Sequence, residues 1–342
     1  MTENSKMSLV ANSAPEEVKK SGQVRRRSAD RQSLTQSSDG LLAIATLSRV
    51  TLWTVLALWA SLSSYLVLWF VGQISFGLAV LQWFVLLHDF GHGHFFRSKR
   101  ANWLFGHLAS AFCLIPFAPW RAIHRKHHVW TGWQDLDPTM ESTLPLNASP
   151  GRRRLINFAW SYWFPILCLS YSFNNFWNYP RLKRLFPRKR AEFVLSIAFL
   201  VLVLALSCWV LGAFLFVRTW AFGYFIFLVL ADPLLLSQHA HIPQQNSNGA
   251  AVRPVPVHEQ AQYTRSLNFP RWMSHYFLLG FDAHATHHEW PAVPCYFIGA
   301  LRDRQAAETP DPLSWLSWLK KAKSFPGDQI LFSNNGETRW DL

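Results

Sequence analysis

The chain has 342 residues, of which 50% are hydrophobic and only 15% charged, with 18 Trp and 27 Phe. A soluble domain carries about 25% charged residues, so this composition argues against a wholly soluble enzyme. Lys and Arg number 33 against 20 Asp and Glu, a net charge of +13, yet mean hydropathy stays near zero because the basic residues gather in blocks, the pattern of a membrane protein with one basic face.

Residues 1–40 are polar and rich in Ser, Gln and charge, with Lys6, Lys19, Lys20, Arg25, Arg26, Arg27 and Arg31 and no apolar core of a signal peptide. They predict a disordered basic N-terminal tail. Glu3, Glu16, Glu17, Asp30 and Asp39 argue against an organellar transit peptide. Leu52 to Val71 is uncharged and apolar at about the 20-residue length that spans a bilayer. After a Gly72-Gln73 turn, Ile74 to Leu87 continues it, which predicts a helical hairpin. Phe193 to Val217 and Trp220 to Leu236, joined at Arg218, predict a second. Between the hairpins, Trp103 to Trp120 and Phe158 to Trp177 carry Pro, Asn and Ser and read as interfacial or re-entrant segments, among basic runs that include Arg152, Arg153 and Arg154.

The expected fold is therefore an all-α integral membrane protein with four transmembrane helices in two hairpins and a cytoplasmic His-rich helical cap. The body covers 41–305, and 306–342 forms a C-terminal cytoplasmic tail. Hairpin parity places both termini and nearly all Lys and Arg on one side, cytoplasmic by charge bias and facing an inner membrane in a bacterium. Cys113, Cys168, Cys208 and Cys295 show no metal or disulfide spacing and read as reduced filler. No nucleic-acid partner is expected.

Fourteen histidines remain to be explained. Three groups stand out: His88-Asp-Phe-Gly-His92, His124-Arg-Lys-His127-His128 and His284-Ala-Thr-His287-His288. Spacings of three and four put side chains on one helix face, so each group can aim two or three imidazoles at a common point. His239 and His241 follow the last span at the same level. A structural zinc needs about four ligands and a catalytic zinc about three, so eight to ten imidazoles imply two metal ions. Imidazole suits Zn, Cu, Fe and Ni alike. Haem is disfavoured because the spans are almost free of histidine. Asp89, Asp282 and Glu289 lie in or beside the groups and are candidates to hold the imidazoles' second nitrogens. Asp232, seven residues before His239, is a costly carboxyl at membrane depth and a further candidate.

These motifs resemble the membrane-bound fatty acid desaturase family, with its three histidine boxes. His88-Asp-Phe-Gly-His92-Gly93 is similar to the first box of the delta-12 and omega-3 branch, with Asn102 and Gly106 following as expected. Trp120 to Trp133 resembles the surroundings of the second box. Gln238-His239 is similar to a pair the family places before the third, and His284 to His288 with Pro291 and Pro294 resembles the third itself. The likeness covers roughly residues 80 to 300. Phe90 in place of Cys, and Ala285-Thr286 with Glu289-Trp290, depart from the pattern.

The resemblance implies a non-haem di-iron centre held by His88, His92, His124, His127, His128, His239, His284, His287 and His288, with His241, His94 and His275 nearby. It implies O2 as co-substrate, a fatty acyl lipid substrate and an external electron donor of ferredoxin or cytochrome b5 type, because no His-Pro-Gly-Gly motif of a fused haem domain occurs. The expected reaction is desaturation of an acyl chain. The same site could instead decarboxylate free fatty acids to terminal alkenes, or hydroxylate or ketolate a lipid. A zinc hydrolase or a metal transporter is the reading from another class. Trp83, Phe95, Phe96, Trp120, Trp130 and Trp133 are the aromatic candidates to line a substrate channel.

Overall fold

The computed structural model describes residues 38–143, 148–306 and 314–332. The tail expected over 1–40 lies outside the described residues up to residue 37, as do 307–313 and 333–342 of the C-terminal tail.

Four helices are long and apolar enough to cross a membrane. The first, α1 (Gly40–Ser61), starts where Asp39 accepts the N–H groups of Leu41 and Leu42 at 2.8 and 3.2 Å, a cap that stabilises a helix by about 1 kcal/mol. It turns at residues 62–65 into α2 (Leu66–His92). The expected turn at Gly72-Gln73 is thus corrected: both residues lie inside α2. Gly72 is needed there for close approach, since a Cβ on it would stand 2.5 Å from Ser61 N in the facing helix. Gln73 is fully buried, donating to Ser61 Oγ (2.8 Å) and Thr219 O (2.9 Å) and accepting from Gly223 N (2.7 Å). A polar side chain at membrane depth is tolerable because every group on it is bonded, and here it ties three helices together.

α3 (Lys99–Cys113) and α4 (Phe117–Trp130) form a broken pair bent by 101°, as expected of a re-entrant segment. The break falls at Leu114, which adopts φ 54°. α5 (Pro150–Ser161), α6 (Ile166–Ser172), a π-helical turn over Phe173–Trp177 and α7 (Tyr179–Leu185) make up the rest of the middle region. The second hairpin is α8 (Arg190–Leu211) and α9 (Ala213–His239), joined at Gly212. Arg218 is therefore not the connector. It sits near the start of α9 and donates to Ser63 O at 2.7 Å, which places both tight turns at one end of the bundle and the histidine-bearing ends of α2 and α9 at the other.

Beyond α9 the chain forms short helices only: α10 (Arg271–Tyr276), α11 (His284–Glu289), α12 (Cys295–Ala306), α13 (Trp315–Lys323) and α14 (Gly327–Leu331). No strand occurs among the described residues beyond two isolated bridges. Of the segment set apart as a tail, α13 buries Trp318, Leu319 and Ala322, and Lys323 lies 3.8 and 3.9 Å from the Trp160 and Trp163 ring centres. The window of α2 is 72% buried against 11% for α8, so α2 is the central post. α8 presents Leu195, Trp209 and Val210 outward, a surface suited to lipid.

Candidate metal centre

The histidines are delivered by helix ends. His88 and His92 close α2, His239 closes α9, and α4 and α11 carry the two H-x-x-H-H groups. Local packing fixes the approach. A Cβ on Gly91 would stand 2.2 Å from Trp120, so only glycine lets that indole lie against α2, where it stacks on His124 at 4.6 Å. Asn102, buried, donates to Gly93 O (3.2 Å), Phe96 O (2.7 Å) and Ser98 O (2.9 Å) and accepts from Phe96 N (3.0 Å), fastening the turn that follows the first group.

All nine imidazoles assemble, in two sets whose nitrogens lie within 4.8 Å of one another: His88, His92, His124, His128 and His287, and His127, His239, His284 and His288. Helical geometry explains the division. Residues four apart stay together, so 124 pairs with 128 and 284 with 288, while the residue three on, His127 or His287, turns to the other set. Each H-x-x-H-H group thus feeds both sets and does not converge on one point as the spacing alone predicts.

Within the sets Nε2 atoms face one another: His92 to His124 at 2.9 Å, His124 to His128 at 3.1 Å, and His128 to His287 at 3.1 Å in one, with His239 to His284 at 2.9 Å, His284 to His288 at 3.1 Å and His127 to His288 at 3.3 Å in the other. Neutral rings cannot all donate to each other. With metal–nitrogen bonds of about 2.1 Å, however, neighbouring corners of an octahedron stand about 3.0 Å apart, so these separations are those of ligands around a cation. Burial, then neighbouring imidazoles, push His284, His287 and His288 well below the usual imidazole range, which keeps them neutral and competent to ligate.

The second nitrogens are held by residues that sequence reasoning missed. His127 Nδ1 donates to the buried Asp137 Oδ2 at 2.6 Å, and Thr139 Oγ1 donates to Asp137 Oδ1 at 2.9 Å. His288 Nδ1 donates to Gln260 Oε1 at 3.2 Å, while Gln260 Nε2 donates to His128 O at 2.8 Å. These bonds fix the tautomer that leaves Nε2 as acceptor. Arg265 donates to Ser237 O and Ala240 O at 2.9 Å each, a cation at the end of α9 that anchors His239. Asp137, in Asp-Leu-Asp-Pro after the second group, and Gln260 stand outside any histidine spacing and carry no local signal.

The six residues expected to assist divide differently. Asp89 Oδ1 is 3.5 Å from His88 Nδ1, while its Oδ2 accepts from Cys295 N at 2.5 Å, so its firmer bond joins α2 to α12. Asp282 accepts from Ser274 Oγ at 2.7 Å and pairs with Arg302, holding the loop before α11. Asp232 accepts from Cys168 N at 2.5 Å and also bonds Leu167 N: it caps α6 from another helix, where Pro165 offers no side-chain cap. That capping role explains a carboxyl at this depth. His241 is buried at φ 54°, pushed down to about 4 by burial and then by Arg265, and belongs to neither set. Glu289 is half-buried at the end of α11. His275 and His94 are exposed and belong to neither set, His275 with its ring against Tyr276 and His94 close enough to His92 to act on it electrostatically.

A cavity of about 180 Å3 opens onto both sets, reaching His88, His124, His127, His239 and His284. Its wall follows α9 from Tyr224 to His239, about 22 Å at the helical rise. Of the six aromatic candidates for its lining only Trp120 takes part. Trp83 instead stacks on Phe112 and donates to Thr54, and Phe95 packs among Phe90, Phe96 and Tyr296.

Four apolar spanning helices, a cap of paired imidazole sets and an adjoining apolar cavity define a multi-pass membrane protein with a site compatible with two metal ions. The model of the fatty acid desaturase family matches residues 63–318, and the chain belongs to that family. It is similar to an sn-1 oleoyl-lipid 12-desaturase of Synechocystis sp., 28% identical over 228 residues, covering 64% of this chain and 63% of that protein. It is also similar to a probable fatty acid desaturase of Sorghum bicolor, 32% identical over 182 residues, covering 48% and 45%. A third relative is an sn-1 acyl-lipid omega-3 desaturase (ferredoxin) of Synechocystis sp., 41% identical over 90 residues, covering 25% and 24%. The matches span less than two thirds of each of these relatives.

Proposed function

We propose that the chain is an O2-dependent acyl-lipid desaturase whose nine histidines hold two iron ions, one per imidazole set. The observation that carries this reading is the pair of inward-facing imidazole sets on the wall of one apolar cavity. Sets of five and four nitrogens exceed the three protein ligands of a catalytic zinc, and iron accepts the higher coordination number with imidazole donors. Bound there, reduced iron supplies the activation of O2 and the removal of hydrogen from an unactivated methylene, which no side chain can perform.

The chain's own residues supply the rest. Phe84, Trp120, Phe281 and Leu235 bound the apolar space beside the imidazoles, so an acyl methylene is held against the site with water displaced. Asp137 and Gln260 keep two rings in their ligating tautomers. The cap lies on the side that carries the basic blocks, which by charge bias is the cytoplasm, and both termini lie there too. Electrons come from an external acidic carrier of ferredoxin or cytochrome b5 type, steered by that basic face; two relatives are named as ferredoxin-dependent.

Expression of the wild type beside His287→Ala, with acyl chains analysed by mass spectrometry, tests the proposal. New double bonds present only with the wild type are expected. A terminal alkene or a hydroxylated chain, or no difference between the two, would overturn it.

A further inference from the structure

The cavity beside the metal sets has one cationic lining residue, Arg152, and only Arg152 and Ser170 among its lining residues are exposed. They mark its mouth, while the imidazole end is buried. Arg152 sits in the first turn of α5, whose neighbour Arg153 is engaged by Asp328 at 3.2 Å and by the Phe332 ring at 5.3 Å. Arg152 has no ion pair among the described residues. Around it α5 and the following turn present Leu155, Phe158, Tyr162, Trp163 and Phe164 outward, the aromatic and basic mixture of a segment lying at the level of lipid headgroups. The other charged group in the cavity wall, Asp232, is tied to two backbone N–H groups.

Resting on the desaturase reading, the geometry points to Arg152 as the anchor for an anionic headgroup: the substrate is an acyl lipid with a carboxylate or phosphate at its polar end, the acyl tail running inward past the imidazoles. A guanidinium fork engages either oxyanion by two parallel hydrogen bonds. Because the head is fixed at the mouth, the distance from Arg152 to the metal sets, and not the length of the tail, selects the carbon attacked.

The test is equilibrium binding of radiolabelled oleate, oleyl phosphate and oleyl alcohol to the detergent-solubilised full chain, for the wild type, Arg152→Ala, Arg152→Lys and Arg154→Ala. The expected result is a loss of about tenfold or more in affinity for the two anionic ligands with Arg152→Ala. Oleyl alcohol should bind unchanged, which also reports an intact cavity, and Arg152→Lys, which keeps the charge but not the fork, should restore only part of the loss. A larger loss for oleyl phosphate than for oleate assigns the phosphate; equal losses assign either oxyanion. Arg154→Ala, beside the mouth but outside the lining, should match the wild type. Equal affinities in wild type and Arg152→Ala, or a loss that includes oleyl alcohol, would overturn the anchor. Binding needs no turnover, so an anchor that holds in a chain making no unsaturated product would overturn the desaturase reading alone.

Discussion

The two imidazole sets differ in how firmly they are held. In the four-residue set His127, His284 and His288 are buried, and two of its rings have second nitrogens bonded to Asp137 and Gln260. In the five-residue set His92, His124 and His128 are partly exposed, and the one carboxylate contact among the described residues is Asp89 at 3.5 Å, too long to count as a strong hydrogen bond. One half of the centre is thus rigid and inward, the other adaptable and nearer the surface. Ligands on a rigid shell lose more when their support is removed, and this sets the order of expected effects.

The largest effect falls on the ligands themselves. His284→Ala in the inner set and His287→Ala in the outer should each reduce product in an acyl-chain assay by at least about a hundredfold, a loss larger than that from removing a supporting partner; retention of a tenth of the activity by either would break the symmetry of the proposal. Next comes the support. Asp137→Asn keeps the shape but removes the charged acceptor from His127 and should lower iron retention or activity by about 10- to 100-fold, whereas Asp89→Asn should cost less in the same dialysis-resistant iron measurement. Equal effects would mean that the two sets are held alike.

Packing effects are smaller. Gly91→Ala drives a methyl into Trp120 and should destabilise the chain by about 1–3 kcal/mol, read as a lower Tm in detergent together with partial loss of metal. Lys323→Ala removes the cation held between Trp160 and Trp163 and should cost about 0.5–1 kcal/mol. Smallest of all, His275→Ala should leave activity within about twofold of the wild type, since surface substitutions shift stability by only a few tenths of a kcal/mol and the residue is exposed and a member of neither set.

What was legible in the sequence follows from which interactions are local. The spans announce themselves by length and apolarity, and the nine histidines by spacing that helices convert directly into a shared face. The hairpin turn lies at residues 62–65 and not at Gly72-Gln73, because the same glycine that signals a turn also permits close helix contact, and only the partner, Ser61, decides between them. The division of each H-x-x-H-H group between two sets depends on how α4 and α11 face each other. Gln260 and Arg265 act across distant stretches of chain, and Asp137, though only ten residues past His127, lies beyond the end of α4 where no helical spacing links the two. Asp232 stands out in the sequence as a carboxyl at membrane depth, but its partner is the start of α6, a short helix that no periodicity announces.

The most direct test of the central claim is the metal content of the purified protein, by elemental analysis of the wild type, His284→Ala and His287→Ala. The account predicts two iron ions per chain in the wild type and at least one fewer in each variant. A single metal ion per chain, zinc in place of iron, or two irons retained in either variant would contradict it.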